Sequence, residues 1–528
     1  MPQLYGLLIH LKLVQNYFTL QALKHKNVGF LQCMISPFLV IAFIVCYFLF
    51  LLGIGWYTSR NSTANSYFMG NKQSPWYLVA FGMIGDTLSG VTFISVPGTV
   101  GTAHFSYLQL VMGYFVGYFV ISHVLLPIYY RMNLVSVYEY LLQRFGRTSQ
   151  KTGSLFFIVS RLLGAAGRLF LAATVIQFFV FDQFTGFKVP FALSVSVILG
   201  LMLLYTYRGG IKTLVYTDTF QSLFLVMGVV LSIAAIVSKM DISLTEAVSG
   251  IFASKYSETF FFDFNKSNFF LKEFLGGVFI AVTMTGLDQN MMQKNLTCPS
   301  LKDAQKNIFW FSIVMVIVTF CFLSLGALIY QYYDYSQLAL PMDAAGTKVV
   351  TDKVFPNLAL NHLGVFAGLV FIIGLTAATF SSADSVLTTL TTSTYIDILE
   401  LDKRDNLSEK QKARYRTGVH IGFAVLIWLI IILFDVLNQQ AIITTILMIA
   451  GYTYGPLLAL FAAGLFTRLQ FNDKLVPIAC IAGPLICYAL KTFTTNHPQS
   501  YQIGNELILV NGIITFLCLL VFRKKVVG

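Results

Sequence analysis

The chain has 528 residues, of which 56% are hydrophobic and only 11% charged, with a mean hydropathy of +0.73. This composition excludes a soluble globular enzyme and a disordered chain, because too few polar side chains are present to face water. The formal charge of +12 then reads as basic residues retained on one side of a bilayer, with no need for a nucleic-acid partner.

A bilayer core takes about 20 apolar residues per helix. Thirteen such stretches lie near 36–56, 77–102, 106–130, 153–181, 189–207, 219–238, 271–291, 308–332, 363–399, 416–437, 440–466, 475–491 and 505–522. The expected class is an all-α polytopic membrane protein. Ahead of the first span, residues 1–33 are mildly amphipathic and lack the layout of a cleavable signal. Met34 opens MISPFLVIAFIVCYF, a natural first span, so 1–33 is expected to be an extension or a misassigned start, and 34–528 a single domain.

Alternate connections are basic. The one after the third span holds Arg131, Arg144, Arg147 and Lys151, and the one after the ninth holds Lys403, Arg404, Lys410, Lys412 and Arg414. Connections after the second and tenth spans hold none. Basic residues stay cytoplasmic, so the first span is expected to begin outside and the tail, with Arg523, Lys524 and Lys525, to lie inside. The stretch LVSVYEYLLQRFG (134–146) reads as an interfacial helix, and the connections 239–270 and 333–361 have room for short surface helices. Cys33, Cys46, Cys298, Cys321, Cys480, Cys487 and Cys518 are scattered without ligand spacing and read as packing residues.

The second span places Gly82, Gly85, Asp86, Thr87, Ser89, Gly90 and Thr92 at mid-depth. A backbone that leaves the helix inside a membrane must find partners within the protein, so an interruption here points to a cavity where free carbonyls meet a cation. A glycine-rich packing seam is the plainer alternative. The seventh span has a comparable weak point at Thr283, Thr285 and Gly286. Two interrupted helices, each opening a block of five spans, suggest an inverted repeat, at about 76–238 and 271–467, with C-terminal helices at about 475–522.

In the ninth span, residues 378–394 read ATFSSADSVLTTLTTST, with ten hydroxyls among seventeen residues. Ala378, Ser381, Ser382 and Ser385 stand at i, i+3, i+4 and i+7, and Thr388, Thr389 and Thr392 continue the stripe. Hydroxyls and free carbonyls are hard, neutral ligands suited to a monovalent cation that must also leave. Back-bonding to the helix itself is the alternative. Arg161 and Arg168, seven apart in the fourth span, and Asp218 in the sixth are further ionisable residues within spans. A mid-membrane Arg costs about 2.5 to 3.5 kcal/mol on insertion scales, so Arg168 needs a partner. Either it anchors an anionic substrate group, or it pairs with Asp86 or Asp218.

Taken together, GDTLSGVTFISVPG (85–98), RGGIKTLVYTDTFQ (208–221), GLDQNMMQKNL (286–296), the AxxSS of Ala378, Ser381 and Ser382, and GYTYGPLLALF (451–461) resemble the sodium:solute symporter family over roughly 36–528. The resemblance implies a LeuT-type fold: five-plus-five inverted repeats with one preceding and two following helices. It implies a sodium site at the Gly85 and Leu88 carbonyls, the Ala378 carbonyl and the Ser381 and Ser382 hydroxyls. A further sodium site, present in some members, maps to Ser381, Asp384, Ser385 and Asp218.

Substrate contacts map to Thr87, Ser89, Thr92, Gln109, Arg168 and Thr283, with Arg168 matching the carboxylate-binding Arg of the sialic acid branch. Asp86 departs from the pattern, where a small neutral residue is usual. The implied function is uptake of a small organic solute, a carboxylate or acidic sugar, driven by inward sodium movement across a bacterial inner membrane, with sodium as coupling ion and no other cofactor. Alternatives are a neutral sugar, polyol or amino acid as substrate, or a transporter-like sensor, against which the short tail RKKVVG argues. Nothing in the sequence supports an enzyme: there is no HExxH or GxSxG, and His104, His123, His362 and His420 are isolated.

Overall fold

Inside a bilayer an unpaired backbone amide or carbonyl is costly, which leaves the helix as the default for long apolar stretches. The computed structural model describes residues 37–60, 64–183, 188–343, 346–437, 442–496, 501 and 503–524, and the extension expected at 1–33 lies outside them. Among the described residues the chain is helical apart from connections and two isolated β-bridges, Met342 with Val349 and Phe471 with Arg523.

Among the described residues nine helices are long and apolar enough to cross a membrane, or up to eleven spans when each of two sharply bent pairs is counted as one. In chain order the helices are α1 (Pro37–Ser59), the pair α2 (Trp76–Thr87) and α3 (Gly90–Ala103), α4 (Tyr107–Arg131) and α5 (Arg147–Phe179). Next come α6 (Phe191–Thr206), α7 (Gly209–Lys239), the pair α8 (Phe270–Gly286) and α9 (Gln289–Asn295), and α10 (Leu301–Tyr335). Last are α11 (Val365–Ile398), α12 (Glu409–Val436), α13 (Ile442–Phe466), α14 (Val476–Asn496) and α15 (Leu507–Val521). The fifth and thirteenth expected spans fall on α6 and α15, which are shorter apolar helices.

Both weak points are real breaks. The chain turns by 62° between α2 and α3 and by 67° between α8 and α9. Between α6 and α7, Gly210 adopts φ 53°, a conformation open to glycine without cost, and a Cβ there would also come within 2.5 Å of the Tyr67 ring. The connections expected to hold surface helices do so, with Leu244–Ala253 and Thr351–Asn361.

Packing explains where polarity is tolerated. Helix α11 is the central one, with 72% of its spanning window buried against 28% for α1 and α12, so its hydroxyls face protein and not lipid. Helices α4 and α8 touch backbone to backbone: a Cβ on Gly113 would overlap the Phe274 carbonyl oxygen, and one on Gly277 that of Leu110. Small residues permit this approach in a membrane. The amphipathic 134–146 stretch forms a short helix, Glu139–Arg144. Its Arg144 donates to the carbonyls of Gly464, Thr467 and Leu469 at 3.2, 2.9 and 2.9 Å, so it is fastened to the end of α13 by satisfying carbonyls that the helix leaves open.

Candidate functional site

The two breaks differ in how their freed carbonyls are satisfied. At the α8/α9 break, Tyr129 Oη donates to the Gly286 carbonyl at 2.9 Å, Tyr138 Oη to Leu287 at 3.1 Å, and Arg161 Nη2 to Met284 at 3.1 Å. Side chains from α4, α5 and the segment between them close that break. At the α2/α3 break, Leu88 N donates to the Ile84 carbonyl at 2.7 Å and Phe93 N to Ser89 at 2.9 Å. Among the described residues no backbone amide from beyond the break donates to the Gly85 or Leu88 carbonyl. These two oxygens are left for something other than backbone.

Helix α11 lies against this point. A Cβ on Gly85 would stand 2.7 Å from Ser381 Oγ and 2.8 Å from Ser222 Oγ, and one on Gly90 would overlap Thr379 Oγ1. Ser381 Oγ is buried and makes no hydrogen bond. Ser382, also buried, donates to the Thr379 carbonyl at 3.0 Å, and Ala378 is fully buried one turn away. The break therefore brings Gly85 and Ser381 together, with Leu88, Ala378 and Ser382 in the turns beside them. A buried hydroxyl without a partner is costly unless a ligand meets it.

The residues mapped to a further ion site share a network. Ser385 Oγ donates to Asp218 Oδ2 at 3.1 Å, and Tyr205 Oη donates to Asp384 Oδ2 at 2.7 Å. Lys294, near the end of α9, inserts its ammonium between Asp86 Oδ2 and Asp218 Oδ2. All three side chains are at most 1% exposed. Asn290, one turn earlier, donates to Asp86 Oδ2 at 3.3 Å and accepts from Thr389 Oγ1 at 3.2 Å. Asp86 is thus one of two carboxylates sharing a buried ammonium.

That pairing bears directly on Arg168. Asp86 and Asp218, the two carboxylates considered as its partners, are both held by Lys294. Arg161 pairs elsewhere: its Nε donates to Asp288 Oδ2 at 2.6 Å, where Tyr454 Oη also donates at 2.5 Å. Arg168, two turns along α5 and half-buried, makes no hydrogen bond or ion pair among the described residues.

The other mapped substrate contacts lie at the two breaks and at the start of α4. Thr87, half-buried at the end of α2, donates to the Met83 carbonyl at 3.0 Å. Ser89 is buried within the break, and Thr92 is half-buried on the first turn of α3. Thr283 is buried in the π-helical turn Val282–Gly286, donating to the Phe279 carbonyl at 2.6 Å. Gln109 is committed to a loop: its amide donates to the carbonyls of Ser106 and Asn268 at 3.4 and 3.1 Å and accepts from Phe261 N at 3.3 Å.

The sodium:solute symporter family model matches residues 67–474. The chain belongs to the sodium:solute symporter family. It is similar to the sodium-coupled monocarboxylate transporter 1 of Mus musculus, at 26% identity over 86% of this chain and 72% of that protein. It is likewise similar to the sodium/sialic acid symporter SiaT of Proteus mirabilis, at 25% identity over 88% of this chain and 92% of that one. In fold it matches the substrate-bound outward-open structure of a Na+-coupled sialic acid symporter, with a TM-score of 0.77 and 21% identity over 92% of this chain and 99% of that one. This symporter is a multi-pass membrane transporter of the LeuT fold type, coupling sodium movement to that of a small organic solute.

Several residues of the symporter's interior escape a reading of the sequence alone. Lys294 and Asp288 stand in the family-like stretch GLDQNMMQKNL, yet neither draws a role from its spacing. The available signal is an Asp two residues after the Gly of a broken helix, which is the position of a helix cap: Asp288 Oδ1 accepts from Met291 N at 3.1 Å. Asp397, fully buried and bonded by Ser136 Oγ at 2.8 Å and Gln150 Nε2 at 2.9 Å, had no such signal. His420 accounts for itself as a core histidine, between Thr206 Oγ1 at 2.9 Å and Thr391 Oγ1 at 3.0 Å.

Proposed function

We propose that this symporter imports an organic acid, with the Arg168 guanidinium holding the substrate carboxylate and sodium held by the Gly85, Leu88 and Ala378 carbonyls and the Ser381 and Ser382 hydroxyls. The observation that carries the substrate class is the contrast between two arginines on one helix: Arg161 is ion-paired with Asp288, whereas Arg168 has no partner among the described residues. A half-buried guanidinium in a transporter's interior favours an anion, and its planar fork suits a carboxylate. The solutes of the similar transporters agree with an acidic substrate, since monocarboxylates and sialic acid each carry a carboxylate.

For sodium, the supporting observation is the α2/α3 break, whose Gly85 and Leu88 carbonyls find no backbone amide among the described residues and which lies against Ser381 Oγ, likewise without a partner among them. An ion bridging α2 and α11 favours one arrangement of the two helices over the other. Coupling follows only if that arrangement also binds the acid better, because an ion with equal affinity for both states shifts nothing. The distribution of basic connections supports a start outside and a tail inside, and so a plasma membrane, bacterial inner membrane in type, with sodium entering from outside. Each ion then brings in about 2.3 kcal/mol per 100 mV of membrane potential in addition to its concentration gradient.

The test is uptake by the purified chain in proteoliposomes, across a panel of monocarboxylates, acidic sugars, neutral sugars, polyols and amino acids. A sodium gradient should drive accumulation of acids, and collapse of the gradient should end it. Movement of neutral solutes but no acids would overturn the role given to Arg168, and a flux indifferent to sodium would overturn the ion site.

A further inference from the structure

We infer that the Lys294 ammonium is a built-in countercation: it fills the position between Asp86 and Asp218 that a mobile sodium ion would otherwise take, so this chain binds one sodium fewer than its buried carboxylates allow. The inference rests on the sodium-coupled reading above and goes beyond it in stoichiometry.

Charge is the starting point. The network holds three buried carboxylates, Asp86, Asp218 and Asp384, and one cation, Lys294. An unpaired buried charge is far more costly than a paired one, so each carboxylate calls for a positive charge, a proton or strong donors. Asp384 has the Tyr205 hydroxyl at 2.7 Å. Asp86 and Asp218 have Lys294, which bonds one oxygen of each and leaves Asp86 Oδ1 and Asp218 Oδ1 without a partner.

The same atoms would suit a sodium ion. Two carboxylates and the Ser385 hydroxyl, which already points at Asp218, form an oxygen set of the hard type that small monovalent cations take. What differs is mobility. A sodium ion enters and leaves with each cycle, but the ammonium is tethered to α9, whose seven residues are all buried. It neutralises the pair without carrying charge across the membrane.

The inference also accounts for how the elements are joined. Lys294 ties α2, through Asp86, and α7, through Asp218, to the second half of the broken α8/α9 span. A sodium ion in its place would make that junction depend on external sodium. With lysine it is permanent.

The experiment counts sodium ions bound per protein by equilibrium binding of radioactive sodium to the purified full-length chain, for the parent, Lys294→Gln and Lys294→Arg. Lys294→Gln should bind one ion more than the parent, and Lys294→Arg the same number as the parent. An unchanged count in Lys294→Gln overturns the inference while leaving sodium coupling intact. Absence of sodium binding by the parent instead overturns the proposed ion site. Should Lys294→Gln be unstable, it is purified in sodium and in choline side by side: selective rescue by sodium supports the inference, and failure in both overturns it. In Lys294→Met combined with Asp86→Asn and Asp218→Asn the count should return to that of the parent, and a surplus ion persisting there would overturn the assignment to this pair.

Discussion

Arg161 Nε donates to Asp288 Oδ2 at 2.6 Å, joining α5 to the break between α8 and α9. Both side chains are almost wholly buried, and the same carboxylate caps α9 and accepts from Tyr454. One residue thus fixes the bend, the cap and the contact with α13. Breaking a buried pair by removing one partner costs roughly 3–5 kcal/mol, because the other charge is left unpaired. Asp288→Ala should therefore lower the unfolding temperature and the monodisperse yield sharply, as read by thermal unfolding of the purified protein. A stability equal to the parent's would show that the bend is held by other contacts.

Arg168 is expected to behave in the opposite way. Since it has no hydrogen-bond or ion-pair partner among the described residues, Arg168→Gln should fold as well as the parent and bind sodium with unchanged affinity. Loss of a charge-assisted bond of about 1.5–3 kcal/mol should raise the KM for the acid about 10- to 100-fold. Uptake kinetics and sodium binding on the same preparation check both halves. An unchanged KM would remove Arg168 from the substrate site.

Ser381 and Thr391 provide a paired comparison on one helix. Ser381 Oγ is buried without a bond, whereas Thr391 Oγ1 is occupied by the Leu387 carbonyl at 2.8 Å and His420 at 3.0 Å. Ser381→Ala should raise the sodium concentration for half-maximal uptake about tenfold, the equivalent of about 1.4 kcal/mol. Thr391→Val should leave the sodium response where it is. Equal effects in the two variants would mean that the hydroxyl stripe acts through packing alone.

Gly113 and Gly277 should be intolerant of even one methyl group. Each added Cβ would overlap a carbonyl oxygen of the facing helix, and backbone cannot swing aside as a flexible side chain can. Overpacking of this kind costs about 1–3 kcal/mol. Thermal unfolding of Gly113→Ala and Gly277→Ala should show losses in that range, whereas Gly422→Ala, with nothing within 4 Å of its added Cβ, should not differ from the parent.

The parts of this molecule that were legible in its sequence are those written in local signals. Apolar length gives the spans, a three-to-four-residue period gives the hydroxyl face of α11, and clustered Gly and Asp give the break at Gly85. Lys294 was hidden because it stands where a flanking charge is ordinary, at the nominal end of the seventh span. Only the 67° bend turns it inward, and the helix runs on to Asn295, past the expected boundary near 291. Arg161 and Arg168 were indistinguishable for a related reason: they lie on the same face of one helix, and which of them is paired depends on Asp288, over a hundred residues away. Gln109 shows the converse, since a polar residue in a span can serve a surface loop.

The junction at Lys294 also has a consequence for how the chain is assembled during synthesis. A lysine buried in the interior of a membrane protein needs a countercharge, and α9 adds the cap and amides of Asp288, Asn290 and Asn295. Every countercharge this segment uses is made before it: Asp86, Arg161 and Asp218 all precede residue 288 in the chain. The order of translation therefore delivers this polar segment after all of its charged partners, although its hydroxyl partners Thr389 and Tyr454 follow it. It arrives when its acceptors are already in the membrane, and a permuted chain in which it emerged first would have no acceptors to meet.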